Sequence, residues 1–328
     1  MAIGIVKEWW RFRQARPLPR NGRTLVMGIV NLSPDSFSGD GTAPGPAEAA
    51  EAALELLEAG AAIVDFGAES SRPGAATISA EEEIRRLGDV VACFRSQSDA
   101  PISVDTRHVE TAVRVLDQGA DIVNDITALR GGWSAEDGRN PAMAELAARE
   151  EAIVILMHMP SSPAIMQEAP VYADVFVEVR DFLLRRAEWA AGVGVARENI
   201  WLDPGFGFGK NFEHNRELLL RLNEFAALGY PVLAGLSRKR VVADALALPR
   251  GERLEASLTL AVLAAWNGAA VVRVHDVRET AKAIGMADAI RLGVPVNSRG
   301  ETKGKGTAPL PGGRRFNGAS SPVFLKQP

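Results

Sequence analysis

The chain alternates short apolar runs with helix-forming stretches, and eight of the runs end on or carry a polar side chain. Uninterrupted β-branched runs of about four to seven residues indicate strands that are buried on both faces, as in a parallel sheet. Eight such strands alternating with helices predict an α/β fold, a (β/α)8 TIM barrel, whose active site lies at the C-terminal ends of the strands. The polar residues are Asn31, Asp65, Asp105, Asn124, His158, Asp203, Ser237 and His275. We therefore expect them to share one barrel mouth.

Helix signals fill the intervals between the runs. Residues 47–59 are strong helix formers, with Pro46 near the start and Gly60 at the end. Ser79 with Glu82 three residues later predicts a capping box, and the stretch EEEIRRLGDVVACF that follows is helical in pattern. Further helices are predicted at 108–118, 174–191, 213–228, 253–267 and 277–291.

These elements divide the chain into one domain with two extensions. The barrel is predicted to span residues 24–294. Residues 1–23 form an N-terminal leader with no signal-peptide pattern, and its Trp9 and Trp10 either pack on the barrel or touch a membrane surface. Residues 295–328 are rich in Gly, Pro and Ser, which predicts a flexible, disordered tail.

Composition narrows the functional classes. In 328 residues, 47% are hydrophobic and the net charge is −4, which argues against general affinity for nucleic acid or anionic membranes. No apolar run reaches the ~18 residues of a membrane span. The single cysteine, Cys93, excludes an intrachain disulfide and suits a reducing cytosol. Its helical, apolar surroundings favour packing over a catalytic thiol.

The densest cluster of polar and glycine residues is DPGFGFGK, residues 203–210. A strand cannot continue through Asp-Pro-Gly, so Asp203 is predicted to lie at the barrel mouth. Three glycines in the next six residues indicate a loop of special backbone shape. The segment lacks the spacing of a phosphate-binding P-loop, so we do not assign it that role.

Two carboxylates and an amide end neighbouring or facing strands at this mouth: Asp105, Asn124 and Asp203. Together they suit a flat heterocycle that presents several N–H donors, because a carboxylate accepts two adjacent N–H groups. The alternative is that they only tie loops to strand ends. Met157, just before His158, is predicted to pack on a ligand ring.

Basic side chains lie on strand eight and directly after strand seven. Arg273 and His275 alternate along strand eight, and Arg238 and Lys239 follow strand seven. Barrels often bind phosphate at this position, so the cations predict an anion site. A solvated charged surface is the alternative for the sequence RKR. The amide oxygen of Asn31 is of the kind that shares Mg²⁺ with a diphosphate.

Taken together, these segments resemble dihydropteroate synthases. The matching motifs, in order, are MGIVNLSPDSFSGDG, FGAESSRPGA, SVDT, VNDI, LMHM, DPGFGFGKN, GLSRK and RVHDV, over about residues 25–280. The resemblance implies a barrel that joins 6-hydroxymethyl-7,8-dihydropterin diphosphate to 4-aminobenzoate with Mg²⁺ and releases diphosphate in folate synthesis. It also implies a cytoplasmic homodimer that sulfonamides inhibit.

The resemblance also implies residue roles. Catalysis falls to Arg273, His275, Lys239 and Asp105. The pterin site comprises Asp105, Asn124, Ile126, Met157, Asp203, Gly235, Lys239 and Arg273. The aminobenzoate site comprises Ser71, Arg72, Pro73, Phe208 and Ser237. A flexible loop carries Asp35 and Asp40, and Asn31 is the metal ligand.

Two departures from the family pattern bear on these roles. The loop reads SFSGDG where the family usually has SFSDGG, which moves its acidic residue to Asp40, and Ala68 replaces a glycine. Two alternatives remain open: a corrinoid-type methyltransferase barrel, which would share the pterin-edge contacts, and a non-catalytic paralogue that binds pterin, which the displaced Asp40 and the tail support. Binding of pterin diphosphate without turnover would identify the paralogue.

Overall fold

A computed structural model describes residues 9–19, 21–33, 45–70, 74–132, 138–167, 170–239, 241 and 245–294. The strands are β1 Trp9–Trp10, β2 Leu18–Pro19, β3 Leu25–Asn31, β4 Ile63–Gly67, β5 Ile102–Asp105, β6 Ile122–Asp125, β7 Ile153–Met157, β8 Ile200–Asp203, β9 Leu233–Ala234 and β10 Val271–Val274. The α-helices described in full are α1 Pro46–Glu58, α2 Ala80–Leu87, α3 Val90–Arg95, α4 Val109–Asp117, α5 Pro141–Arg149, α6 Val175–Val193, α7 Phe212–Leu220, α8 Leu222–Ala226, α9 Leu254–Trp266 and α10 Val277–Leu292.

Strands β3 to β10 form one parallel sheet in the order β8-β7-β6-β5-β4-β3-β10-β9. A parallel bridge between Leu202 and Val232 joins its two outer strands, so the sheet closes into a barrel. The helices lie between successive strands in the chain. The predicted (β/α)8 barrel is therefore confirmed.

Strand register brings the polar ends of the first strands to one level. Asn31 pairs with Gly67, Gly67 with Asp105, and Asp105 with Asn124. Because all eight strands are parallel, their C-terminal ends meet at one mouth. The seventh run of the sequence contributes only the two residues of β9, fewer than its length suggested.

Two helical details differ from the sequence prediction. The stretch predicted as one helix after Ser79 is divided at Gly88, whose φ of +53° ends α2 before α3 begins. The Ser79 hydroxyl caps α2 by accepting from the Glu82 amide, but the Glu82 carboxylate binds Arg85 and Arg86 instead of completing a capping box. The interval 213–228 likewise holds two helices, α7 and α8.

The described part of the leader packs on the barrel. The Trp10 ring meets the Trp201 ring edge-on, with centroids 5.2 Å apart, in an apolar cluster that also contains Met27. The Arg13 guanidinium pairs with Glu150 at 2.7 Å, and the Asp121 carboxylate accepts from two leader amides. This position agrees with the packing alternative for Trp10. The predicted tail, 295–328, lies outside the described residues.

None of the helices in the described ranges combines the length and the hydrophobicity needed to cross a membrane.

Candidate active site

A cavity of about 390 Å³ opens at the C-terminal ends of the strands. Seven of the predicted site residues line it: Asn31, Asp105, Phe208, Ser237, Lys239, Arg273 and His275. The wall also includes Ile29, Ser33, Gly67, Glu69, Ser70, Met166, Gly207, Arg238 and Arg253. Four arginine and lysine side chains are among the lining residues, which makes the cavity suited to an anion.

Arg273 reaches from β10 to two carboxylates. Its Nε donates to Asp65 Oδ2 at 2.7 Å, and a terminal nitrogen donates to Asp105 Oδ2 at 3.0 Å. Asp65 is fully buried, and its Oδ1 has no hydrogen-bond partner among the described residues. Burial opposes the charge on Arg273, but Asp65 and Asp105 outweigh it and raise the arginine pKa. The arginine is therefore a permanently charged group in a fixed position.

The side-chain carboxyl group of Asp105 is strongly desolvated by burial. Burial raises its pKa to about 8, although the Arg273 charge acts in the opposite direction and Asp65 adds to the rise. A carboxyl group of this kind gains from any ligand that presents N–H donors to it. The position of Asp105 on the cavity wall makes it available for such a ligand.

The Gly-rich loop after β8 contributes Gly207 and Phe208 to the cavity wall. Asp203 Oδ1 accepts from the Gly205 amide at 2.7 Å. Lys239 Nζ donates to the Phe206 carbonyl at 2.7 Å and lies 4.1 Å from the centre of the Phe208 ring. Burial lowers the pKa of Lys239 to about 8, with Asp203 opposing the shift, and burial raises the pKa of Asp203.

The remaining predicted pterin contacts lie beside this loop rather than on the cavity wall. Ile126, Met157 and Phe208 share one apolar cluster with Met159 and Met166. Asn124 is the register partner of Asp105, and Asp203 is the register partner of Met157. A Cβ on Gly235 would lie 3.4 Å from Lys239 Nζ, so this glycine leaves room for the lysine.

Two polar pairs complete the side near β10. The Ser237 hydroxyl lies 3.1 Å from His275 Nδ1 and accepts from the His275 amide at 3.3 Å. Arg238 forms an ion pair with Asp276. These contacts fix the serine and the histidine next to each other at the mouth.

Five predicted site residues lie outside the described residues: Asp35, Asp40, Ser71, Arg72 and Pro73.

Three residues of the site gave a weaker sequence signal. Asp65 ends no strand, but it is a carboxylate inside the otherwise apolar run IVDFG, and that anomaly was its only signal. Glu69 lies in the motif FGAESSRPGA and Arg253 begins the predicted helix 253–267, but neither was predicted as a site residue, and both line the cavity. Glu69 is held by Arg107 at 3.1 Å.

Comparison with known proteins decides the family. A family model described as pterin binding enzyme matches residues 27–275. The dihydropteroate synthase of Escherichia coli (strain K12) is 44% identical over 264 residues, which cover 80% of this chain and 90% of the relative. This chain belongs to the dihydropteroate synthase family of pterin-binding enzymes. Its activity is accordingly dihydropteroate synthesis, a step of folate biosynthesis.

Solved structures of this family share the fold. The Yersinia pestis dihydropteroate synthase, solved as a sulfonamide drug complex, has 38% sequence identity and a TM-score of 0.79, and covers 87% of this chain and 99% of its own. The Xanthomonas albilineans enzyme in complex with 7,8-dihydropteroate has 37% sequence identity and a TM-score of 0.75, and the match covers 86% of this chain and 99% of that enzyme. The match extends over nearly the whole of both dihydropteroate synthase structures.

Proposed function

We propose that the cavity at the barrel mouth joins 6-hydroxymethyl-7,8-dihydropterin diphosphate to 4-aminobenzoate, with the residue roles given above. The observation that carries this proposal is the position of Arg273. Its guanidinium is anchored by Asp65 and Asp105 and lines the same cavity as Lys239 and His275. Fixed positive charge beside a carboxylate that accepts N–H groups suits a ligand with a pterin at one end and a diphosphate at the other.

The pterin ring is assigned to the deeper part of the mouth. Asp203 has one oxygen engaged by the Gly205 amide, so its other oxygen and the carboxylate of Asp105 supply acceptors for ring N–H groups. Asn124 stands at the same level as Asp105. The methionine and phenylalanine cluster next to them offers an apolar surface for the faces of the ring.

The reaction is a substitution at the pterin methylene carbon. The carbon–oxygen bond to the diphosphate breaks and its electron pair leaves with the diphosphate, whose charge Arg273, Lys239 and His275 stabilise. The nitrogen of 4-aminobenzoate then forms the new bond to the methylene carbon and releases a proton. An arylamine is unprotonated at neutral pH, so the site needs no strong general base. Phe208 and Ser237 are assigned to the aminobenzoate.

The side chains of the cavity fit Mg²⁺ only if the substrate supplies most of the ligands. Asn31 offers a neutral amide oxygen on a wall that also carries four arginine and lysine side chains. Glu69, Glu83 and His108 form the only ligand-like cluster among the described residues, but Arg107 already occupies the Glu69 carboxylate. We therefore propose that Asn31 holds Mg²⁺ jointly with the diphosphate oxygens, where the ion would neutralise leaving-group charge.

A diphosphate-release assay with pterin diphosphate and Mg²⁺, with and without 4-aminobenzoate, tests the proposed function. We expect release that depends on 4-aminobenzoate and yields dihydropteroate, and we expect a sulfonamide to compete with 4-aminobenzoate. Binding of pterin diphosphate without release would instead identify a non-catalytic paralogue. Methyl transfer from a methylated pterin would identify the corrinoid-type alternative.

We also propose that the enzyme works in the cytosol as a homodimer. Helices α9 and α10 are neighbours, and each leaves large apolar side chains exposed. Leu263 and Trp266 of α9 are 44% and 53% exposed, and Met286 and Ile290 of α10 are each 61% exposed. Their spacing of three or four residues places each pair on one helix face. Such apolar faces indicate an interface, and a second copy of the chain is the occupant we propose.

Trp266→Asp is expected to shift the protein from dimer to monomer, because it places a charge within the proposed apolar interface. Light scattering after size-exclusion chromatography gives the mass. Leu220→Asp is the matched control, since Leu220 is 56% exposed on a different helix, α7, and should leave the mass unchanged. A monomeric parent protein, or a Trp266→Asp variant that remains dimeric, would contradict this interface.

A further inference from the structure

Lys210 is a buried lysine whose contacts all lie within the protein interior. It is 2% exposed, and its ammonium group has four neighbours. These are the carbonyl oxygens of Gly205 and Phe208 at 3.0 Å each, His158 Nδ1 at 3.0 Å and the His158 carbonyl at 3.3 Å. None of these four acceptors is a carboxylate. The lysine is therefore bound in the way carbonyl oxygens bind a small cation, rather than as half of an ion pair.

The His158 ring is suited to accept from this ammonium. Burial lowers the pKa of His158 well below its usual value, and the charges of Lys210 and Arg130 lower it further. A neutral ring with Nδ1 unprotonated accepts a hydrogen bond, whereas a protonated ring would repel Lys210. His158 also donates its amide to the Asp203 carbonyl at 3.0 Å. Lys210 thus connects the loop after β7 to the loop after β8.

The loop that Lys210 contacts has a backbone conformation that only glycine adopts readily. Gly205, Gly207 and Gly209 have φ values of +69°, +78° and +58°. A Cβ on Gly205 would come within 2.0 Å of the His158 carbonyl oxygen, and one on Gly209 within 2.3 Å of Pro160. Glycine permits this backbone but does not hold it, because glycine has the largest conformational freedom in the unfolded chain. Asn215 and Gln167 hold Gly207, Tyr172 holds Gly209, and Lys210 holds the carbonyls of Gly205 and Phe208.

The same loop contacts or contains three residues assigned to the substrates: Asp203, Phe208 and Lys239. Its Gly205 amide holds Asp203, its Phe206 carbonyl holds Lys239, and Phe208 lies against the Lys239 ammonium. The position of each therefore depends on the backbone between residues 205 and 208. We propose that Lys210 is a positioning residue whose ammonium acts as a built-in monovalent cation, holding the loop that presents Asp203, Phe208 and Lys239. This inference rests on the proposed function of the mouth and extends it.

Chemical rescue separates this role from simple packing. Lys210→Ala removes three carbons and the ammonium, which together correspond to n-propylammonium. We expect the variant to lose about 100-fold in kcat/KM, mainly through higher KM for both substrates, since several charge-assisted hydrogen bonds are lost. Added n-propylammonium is expected to raise kcat/KM of this variant by at least about tenfold. The neutral isostere n-propanol fills the same space with one donor and is expected to restore little.

Lys210→Met is the matched variant without a charge. Its side chain fills most of the space of lysine, so it should show the loss of Lys210→Ala but no rescue by n-propylammonium. Burial lowers the pKa of Lys210 itself to about 7, so all assays are run below neutral pH, where the ammonium form predominates. Rescue by n-propanol as strong as rescue by n-propylammonium, or normal kinetics of Lys210→Met, would overturn the proposal.

Amide hydrogen exchange of the peptide 204–211 gives a second reading that does not depend on the reaction. We expect faster exchange in both variants and recovery with n-propylammonium only in Lys210→Ala. If the parent protein makes no dihydropteroate, the proposed function fails, whereas this exchange pattern still tests Lys210. A Lys210→Ala chain that folds only with n-propylammonium would support the same conclusion, and unchanged exchange in both variants would exclude it.

Discussion

Arg273→Ala is expected to reduce kcat/KM by about 10³-fold, the largest loss we anticipate for a single substitution. The change removes a preorganised cation from the place where diphosphate charge develops, and such groups are each worth about 10²–10³ in rate. It also releases Asp105 and Asp65 from their shared partner, which disturbs recognition of the pterin ring. Steady-state diphosphate release at several concentrations of both substrates measures the effect.

The same substitution is expected to lower the free energy of unfolding, because it leaves the fully buried Asp65 without its partner. Removing one member of a buried ion pair costs about 3–5 kcal/mol. A double variant, Asp65→Asn with Arg273→Ala, removes the buried charge as well and is expected to recover much of the stability in urea denaturation, but none of the activity. Near-normal kcat/KM in the single variant would reject the role given to Arg273.

Asp203→Asn is expected to raise the KM for pterin diphosphate by about 10²-fold, with a smaller change in the KM for 4-aminobenzoate. The amide keeps an oxygen for the Gly205 N–H but replaces the second acceptor with a donor that faces the ring N–H groups. The new amide N–H would face a ring N–H. The charge-assisted hydrogen bond to the ring is then lost, and both N–H groups are left without an acceptor. Calorimetric titration with pterin diphosphate measures the loss of affinity directly.

Glu213→Gln is the matched control for Asp203→Asn. It makes the corresponding carboxylate-to-amide change at a side chain of α7 that is 70% exposed and paired only with Arg216 among the salt bridges of the described residues. Its kinetics should equal those of the parent protein. If Asp203→Asn also binds pterin diphosphate normally, Asp203 does not contact the ring and serves the loop alone.

The elements that the sequence predicted well are those whose signal is local. Apolar runs and their polar ends depend on side chains a few residues apart, so the eight strands and the single mouth could be found without the fold. The same holds for α4, α6, α9 and α10, whose observed ends lie within two residues of the predicted ones. The division at Gly88 was missed because one glycine inside a helical pattern is compatible with a continuous helix.

The contacts around Lys210 illustrate what local signals omit. The sequence showed a lysine after three glycines and excluded a P-loop, but its partners include His158, 52 residues earlier. The sequence placed His158 among the residues expected at the barrel mouth but gave it no role. Only the pairing of β7 with β8 places the two loops next to each other.

The barrel, the mouth at which the polar strand ends meet and the family could all be predicted from the sequence, because they follow from periodicity and from motifs that are continuous in the chain. The tertiary structure alone decided which charges meet. Arg273 reaches Asp65 and Asp105 across 208 and 168 residues of chain, and the leader places Trp10 on Trp201. Such pairs form when the barrel closes and desolvates them, and the free energy of a buried charge depends on its neighbours in space rather than in sequence.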